Sequence, residues 1–126
     1  MPYAIKRQPN LPVFVISYQG NVTLQDFQDV DYEIATLLAT FNESTVYIIE
    51  DIREAKTNFT DILKFFKQTH FVNDPTAERV TRKSIFVGQN IISSLMEQFG
   101  KTTGTIPHFA NLDDALDYID YKLNGV

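Results

Sequence analysis

Two adjacent carboxylates, Glu50 and Asp51, end the apolar run TVYIIED over residues 45–51, and Arg53 and Glu54 follow them. Paired acids at such a place suggest proton transfer, in which one carboxylate is held at a shifted pKa beside a partner. The spacing argues against it. Neighbouring residues of a strand point to opposite faces, so Glu50 and Asp51 cannot serve one site. The expected roles are one capping or loop-pairing acid and one solvent-facing acid. The end of the strand keeps its interest, because ligands of open α/β sheets favour the carboxyl edge.

Other groups offer less chemistry. Phosphate binding needs a glycine-rich loop at a helix N-terminus. Val87-Gly88-Gln89-Asn90 supplies one glycine, far short of a nucleotide-binding fingerprint, though room remains for a single anion or a partner carboxylate. His70 and His108 are the two histidines, and neither has a ligand at metal spacing. Ser17, Ser44, Ser84, Ser93 and Ser94 lack a nucleophile-elbow context. The absence of cysteine excludes disulfides, thiolate metal sites and a Cys nucleophile. The expectation is a non-enzymatic chain with no cofactor and no metal.

Charge narrows the partners. A net charge of −5 argues against nucleic acid and anionic membrane. Residues 53–83 nevertheless hold seven basic side chains against four acidic, and the rest of the chain holds four against twelve. This basic strip reads as a solvated helix face and loop, with reception of an acidic partner as the alternative. No stretch reaches the ~20 apolar residues of a membrane span, and the N-terminus has no apolar signal region. A cytoplasmic location is the expectation.

The elements that must position these residues follow from periodicity. At 126 residues the chain fits one domain over 1–126. Residues 3–7 and 13–18 predict a hairpin around the turn Gln8 to Pro12, with an antiparallel edge strand. Gly20-Asn21 should end its second strand. Thr23 and Asp26 then form a capping-box pattern, and Leu24, Phe27, Val30, Ile34, Leu37, Leu38 and Phe41 recur at helical spacing to about residue 40. The central strand 45–51 leads into a polar loop, IREAKTN. Phe59, Ile62, Leu63 and Phe66 predict a second helix to about His70, and residues 76–82 a brief helical turn. Residues 83–87 form a strand. Ile91 to Phe99 predicts a third helix, 106–109 a last short strand, and Asn111 the cap of a final helix. The order is β-β-α-β-α-β-α-β-α, an α/β fold with one mixed sheet of four to five strands and about four helices.

VFVISYQGNVTLQDF, TVYIIEDI, RVTRKSIFVGQ and IPHFANLDDALDYI together resemble the STAS-like domains, the domains of sulfate transporters and anti-sigma factor antagonists, and among them the SpoIIAA-like subgroup. The resemblance covers roughly residues 10–123. It implies helices packed mainly on one side of the sheet. It also implies, for some members, a phosphorylated Ser or Thr in an Asp-Ser-Gly-like motif after the central strand. Here that segment reads DIREAKTN, without Ser or Gly, and Thr57 or Thr60 is the sole stand-in.

The functional expectation is a regulatory domain that binds another protein, or itself as a homodimer. The binding residues would be Asp51, Arg53, Thr57, Lys64, Phe66, Lys67, Gly88 and Gln89. The cluster Phe59, Phe65, Phe66 and Phe71 serves as core, as interface or as a pocket wall. The pocket reading gives the alternative: a domain for a small apolar or anionic ligand, or a lipid, near the end of the central strand.

Overall fold

A computed structural model describes residues 2–56, 79–88 and 107–125. Its five-stranded sheet runs in the order β1 (Tyr3–Arg7), β2 (Val13–Asn21), β3 (Thr45–Lys56), β4 (Thr81–Val87), β5 (His108–Phe109). β1 pairs antiparallel with β2, and every later pairing is parallel. The hairpin is as expected. Asn10 adopts φ 64 within its turn, a left-handed conformation that Asn tolerates better than most residues.

Helix α1 (Leu24–Leu38) begins where the sequence places it. Asp26 N–H donates to Thr23 Oγ1 at 3.3 Å, and Thr23 N–H donates to Asp26 Oδ2 at 2.8 Å. The helix buries Phe27, Val30, Ile34 and Leu38. Its C-terminal end finds a distant donor: the Arg79 guanidinium binds Leu38 O, reaches Ala39 O at 3.1 Å, and also binds Phe41 O in the loop that follows. Leu38 O also accepts from Phe41 N–H at 3.1 Å, and Arg79 adds a cap from across the chain to the end of the helix and the residues just past it. The last helix, α2 (Leu112–Asn124), is capped by Asn111, whose Oδ1 accepts from Asp114 N–H at 2.8 Å. Gly125 ends it in the left-handed conformation at φ +67.

The two helices lie on opposite faces of the sheet. One core joins Phe14, Ile16, Tyr18, Val46, Ile48, Ile52 and Phe86 to the buried face of α1. The other joins Val13, Val15, Tyr47, Ile49, Ile85 and Val87 to Ala115 and Ile119 of α2. Alternation along β3 sends even positions 46–52 to the first core and odd positions 47 and 49 to the second.

Several expectations change. The described residues hold two helices rather than about four, in the order β-β-α-β-β-β-α. The segments expected as the second and third helices, including the Phe59–Phe71 cluster and His70, lie outside the described residues. The implied packing of helices on one side does not hold for α1 and α2. β3 does not end at Asp51; it runs five residues further, to Lys56, through the stretch expected as a loop. β2 extends in parallel to Asn21, and β4 begins at Thr81, where a helical turn was expected. β5 is shorter than expected, spanning His108–Phe109.

β3 departs from simple alternation at a bulge. Ser17 and Gln19 of β2 oppose Asp51 and Glu54 of β3, so three steps on one strand face two on the other. The extra residue breaks the period of two, leaving Ile52 and Ala55 on the same core at a spacing of three.

Candidate functional site

The middle of β3 carries two buried acids that differ in the face they point to and in the partner that meets them. Asp51 stands at the bulge and faces the α2 side. Its carboxylate accepts from Arg53 Nε at 2.9 Å and from Arg53 Nη2 at 2.8 Å, a two-pronged clamp. Asp51 Oδ1 also accepts from Arg53 N–H at 3.2 Å, so the same side chain satisfies the bulged backbone. The guanidinium is held above its ordinary pKa, first by the hydrogen bond to Asp51 and further by the charges of Asp51, Glu54 and Asp113, against desolvation. Gln19 Nε2 donates to Glu54 Oε2 at 3.2 Å across the β2–β3 extension. The carboxyl edge on this side is thus a polar patch with Arg53 among three carboxylates.

Gly88 joins this edge: Val87 is the register partner of Asp51, and Gly88 follows it. Its N–H donates to Phe109 O at 2.9 Å, which extends the β4–β5 pairing. That donor is spent within the sheet and does not point at an anion. His108 is exposed on β5. The structure therefore brings together Asp51, Arg53 and Gly88 of the expected binding residues. Thr57, Thr60, Lys64, Phe66, Lys67 and Gln89 lie outside the described residues.

Glu50 faces the other core. It is 6% exposed, and Tyr18 Oη donates to its Oε2 at 2.6 Å. Burial raises the Glu50 pKa to about 7; the Tyr18 hydrogen bond pulls it down and the charge of Asp31 pushes it up. The Tyr18 phenol is driven well above its ordinary value by burial and by Glu50. A cavity of about 20 Å³ adjoins Glu50, walled by Val30, Asp31, Ile34, Ile48, Arg82 and Ser84. That is room for a water, not for an acyl chain. Asp31 accepts from Arg82 Nη1 at 2.8 Å across the α1–β4 contact.

The expected pair of roles, one capping or loop-pairing acid and one solvent-facing acid, holds in part, since one acid is paired and neither faces solvent. Asp51 pairs with Arg53, within a strand rather than a loop, and Glu50 is buried. The basic strip changes too: Arg53, Arg79 and Arg82 are engaged within the chain. Glu50 is the residue that sequence reasoning undervalued. The available signal was a carboxylate inside a run of apolar, β-branched and aromatic residues, where every even neighbour was bound for a core.

Among the described residues no helix is long and apolar enough to cross a membrane. The fold is similar to the anti-sigma factor antagonist SpoIIAA in its unphosphorylated form, with a TM-score of 0.61 at 13% identity, covering 98% of this chain and 99% of that one. It is similar to an uncharacterized protein with a SpoIIAA-like fold from Shewanella loihica PV-4, at TM-score 0.58, 16% identity and coverage of 92% and 90%. An anti-sigma factor antagonist from Mycobacterium paratuberculosis gives 0.52 at 14% identity, with coverage of 94% and 92%. No curated protein matches the sequence. Residues 13–120 match the SpoIIAA-like family, and with the five-stranded sheet just described the chain belongs to it.

Proposed function

We propose that this chain is a non-enzymatic regulatory domain of the cytoplasm that acts by binding another protein, or a second copy of itself. The contact residues are Asp51, Arg53 and Gly88 at the carboxyl edge of the sheet, together with Thr57, Lys64, Phe66, Lys67 and Gln89 as the sequence suggests them. The observation that carries this reading is the Asp51–Arg53 clamp. An acid held by two guanidinium bonds, at 2.9 and 2.8 Å, is a fixed pattern of charge rather than a free base. Fixed, partly solvated charge patterns serve recognition and partner choice. Family membership agrees, since two proteins of the same fold are named anti-sigma factor antagonists.

The test is cross-linked capture from the protein's own cells, then calorimetric titration with the purified partner. Self-association is followed in parallel by light scattering. A saturable complex is expected, weakened at least tenfold, about 1.4 kcal/mol, by Arg53→Glu or by Lys64→Glu with Lys67→Glu. Phe66→Asp should act likewise. If all variants stay folded and keep full affinity, this edge is not the interface. A saturable thermal shift with an anion, nucleotide or fatty acid, and no protein partner, would replace the reading with that of a ligand-binding domain.

A further inference from the structure

β1 is an edge of the sheet, with β2 on one side and no strand of the described residues on the other. Its pairing with β2 decides which backbone groups are spent. Gln19 N–H donates to Pro2 O at 2.7 Å, and Gln8 N–H donates to Val13 O at 2.9 Å. With the register between them, the even residues of β1 exchange bonds with β2. The N–H and C=O groups of Tyr3, Ile5 and Arg7 therefore point out of the sheet. Ala4, Lys6 and Arg7 are exposed, so this edge is open. Such a row of donors and acceptors is a template for another strand. We propose that the outer edge of β1 takes β1 of a second copy, antiparallel about a two-fold axis at Ile5, and joins two sheets into one.

The strand's own sequence selects a second copy as the occupant. In this register Ile5 meets Ile5, and Tyr3 of each copy meets Arg7 of the other, so every outward group finds a partner. Tyr3 and Ile5 pack on the α1-side core, and the Arg7 guanidinium lies over the Phe41 ring at 4.9 Å. These three side chains thus share the α1 face. Helix α1 carries Asp26, Asp29, Asp31 and Glu33 and no basic residue. Burial, then the charges of Glu33, Asp29 and Asp26, push the Tyr3 phenol pKa up, which puts those acids around Tyr3. Arg7 of the second copy, opposite Tyr3, arrives beside them, and the two-fold axis repeats the match at the other end. On the other face Lys6, a residue type that discourages edge pairing, meets Ala4 and no like charge. An axis at Lys6 or at Arg7 would set like charges against each other, so charge fixes the register too. The edge is separate from Asp51, Arg53 and Gly88, and the inference stands whichever protein those residues bind.

Two measurements on the full chain test it. Sedimentation equilibrium over a wide range of concentration should show monomer and dimer in exchange. Amide hydrogen exchange, read residue by residue by NMR, should separate odd from even positions. Protection of the Tyr3, Ile5 and Arg7 amides should rise with protein concentration, and that of Ala4 and Lys6 should not. Arg7→Glu should weaken the dimer at least about tenfold, because it sets an acid against Glu33 and Asp29. Adding Glu33→Arg to that variant should restore the affinity. The proposal is overturned if the chain is monomeric at every concentration, if protection of the odd amides does not change with concentration, or if Arg7→Glu keeps full affinity. A dimer lost with Arg53→Glu but kept with Arg7→Glu overturns it in favour of the carboxyl edge. A chain that stays monomeric while a different protein protects the odd amides overturns the choice of occupant.

Discussion

Glu50 and Asp51 share a strand, a charge type and near-complete burial, yet the structure treats them oppositely. Asp51 is 9% exposed and meets a guanidinium two residues away; Glu50 is 6% exposed and meets a phenol from another strand. Burial alone therefore does not decide the state of a carboxylate. The partner does. A cation repays desolvation of the charged form, whereas a neutral donor repays only part of it. On one face of β3 the result is a carboxyl group held in a guanidinium clamp, and on the other an acid that burial raises to a pKa of about 7.

The sharpest way to break this contrast is to remove the charge from the Glu50 side. Glu50 has a folded pKa of about 7 against an ordinary 4.5. Its stabilising contribution is therefore full below pH 4.5 and is lost as pH rises to 7. The loss is about 3 kcal/mol, at roughly 1.4 kcal/mol per unit. Glu50→Gln should consequently be more stable than the wild type by about that much at pH 8 and equal to it near pH 4.5. Urea unfolding at the two pH values measures this. A variant that is less stable at pH 8 would show that the carboxylate is charged and paired there.

Tyr18→Phe acts on the same acid with a smaller effect. It removes the donor at 2.6 Å and should cost about 2 kcal/mol at pH 8, where the acceptor is charged, and about 1 kcal/mol at pH 5. A pH-independent cost would mean that the phenol matters by packing alone, including its ring contact with Phe27 at 5.0 Å.

The sequence showed one side of this comparison better than the other. The hairpin, the capping box at Thr23, the Asn111 cap and the middle position of β3 were legible because they rest on local periodicity and turn chemistry. The opposition of Glu50 and Asp51 was legible too, from the period of two. The continuation of β3 to Lys56 was not, because that stretch departs from simple alternation at the bulge. Long-range partners escaped for a different reason. Tyr18 lies 32 residues from Glu50, and Arg79 lies 41 from Leu38. Parallel register brings such pairs together, and no local pattern encodes it.

The remaining prediction tests the Asp51 side and is the smallest. Arg53→Ala removes the clamp but leaves Arg53 N–H, at 3.2 Å, as a donor to Asp51, so the carboxylate keeps one partner from its own bulge. The Arg53 side chain is 42% exposed and that of Asp51 12%, so solvent screens the pair and its worth is discounted accordingly. The expected cost is about 1 kcal/mol at pH 7, shrinking in 1 M salt. It should show little dependence on pH between 6 and 8, in contrast to the Glu50 variants. Chemical denaturation at low and high salt measures it. A cost that grows with salt would mean that Arg53 stabilises the bulge through its aliphatic stem rather than its charge, and the clamp would cease to be the opposite of the Glu50 site. A salt-sensitive cost on one face and a pH-sensitive one on the other would instead fix the two adjacent acids as different devices, one for holding charge and one for changing it.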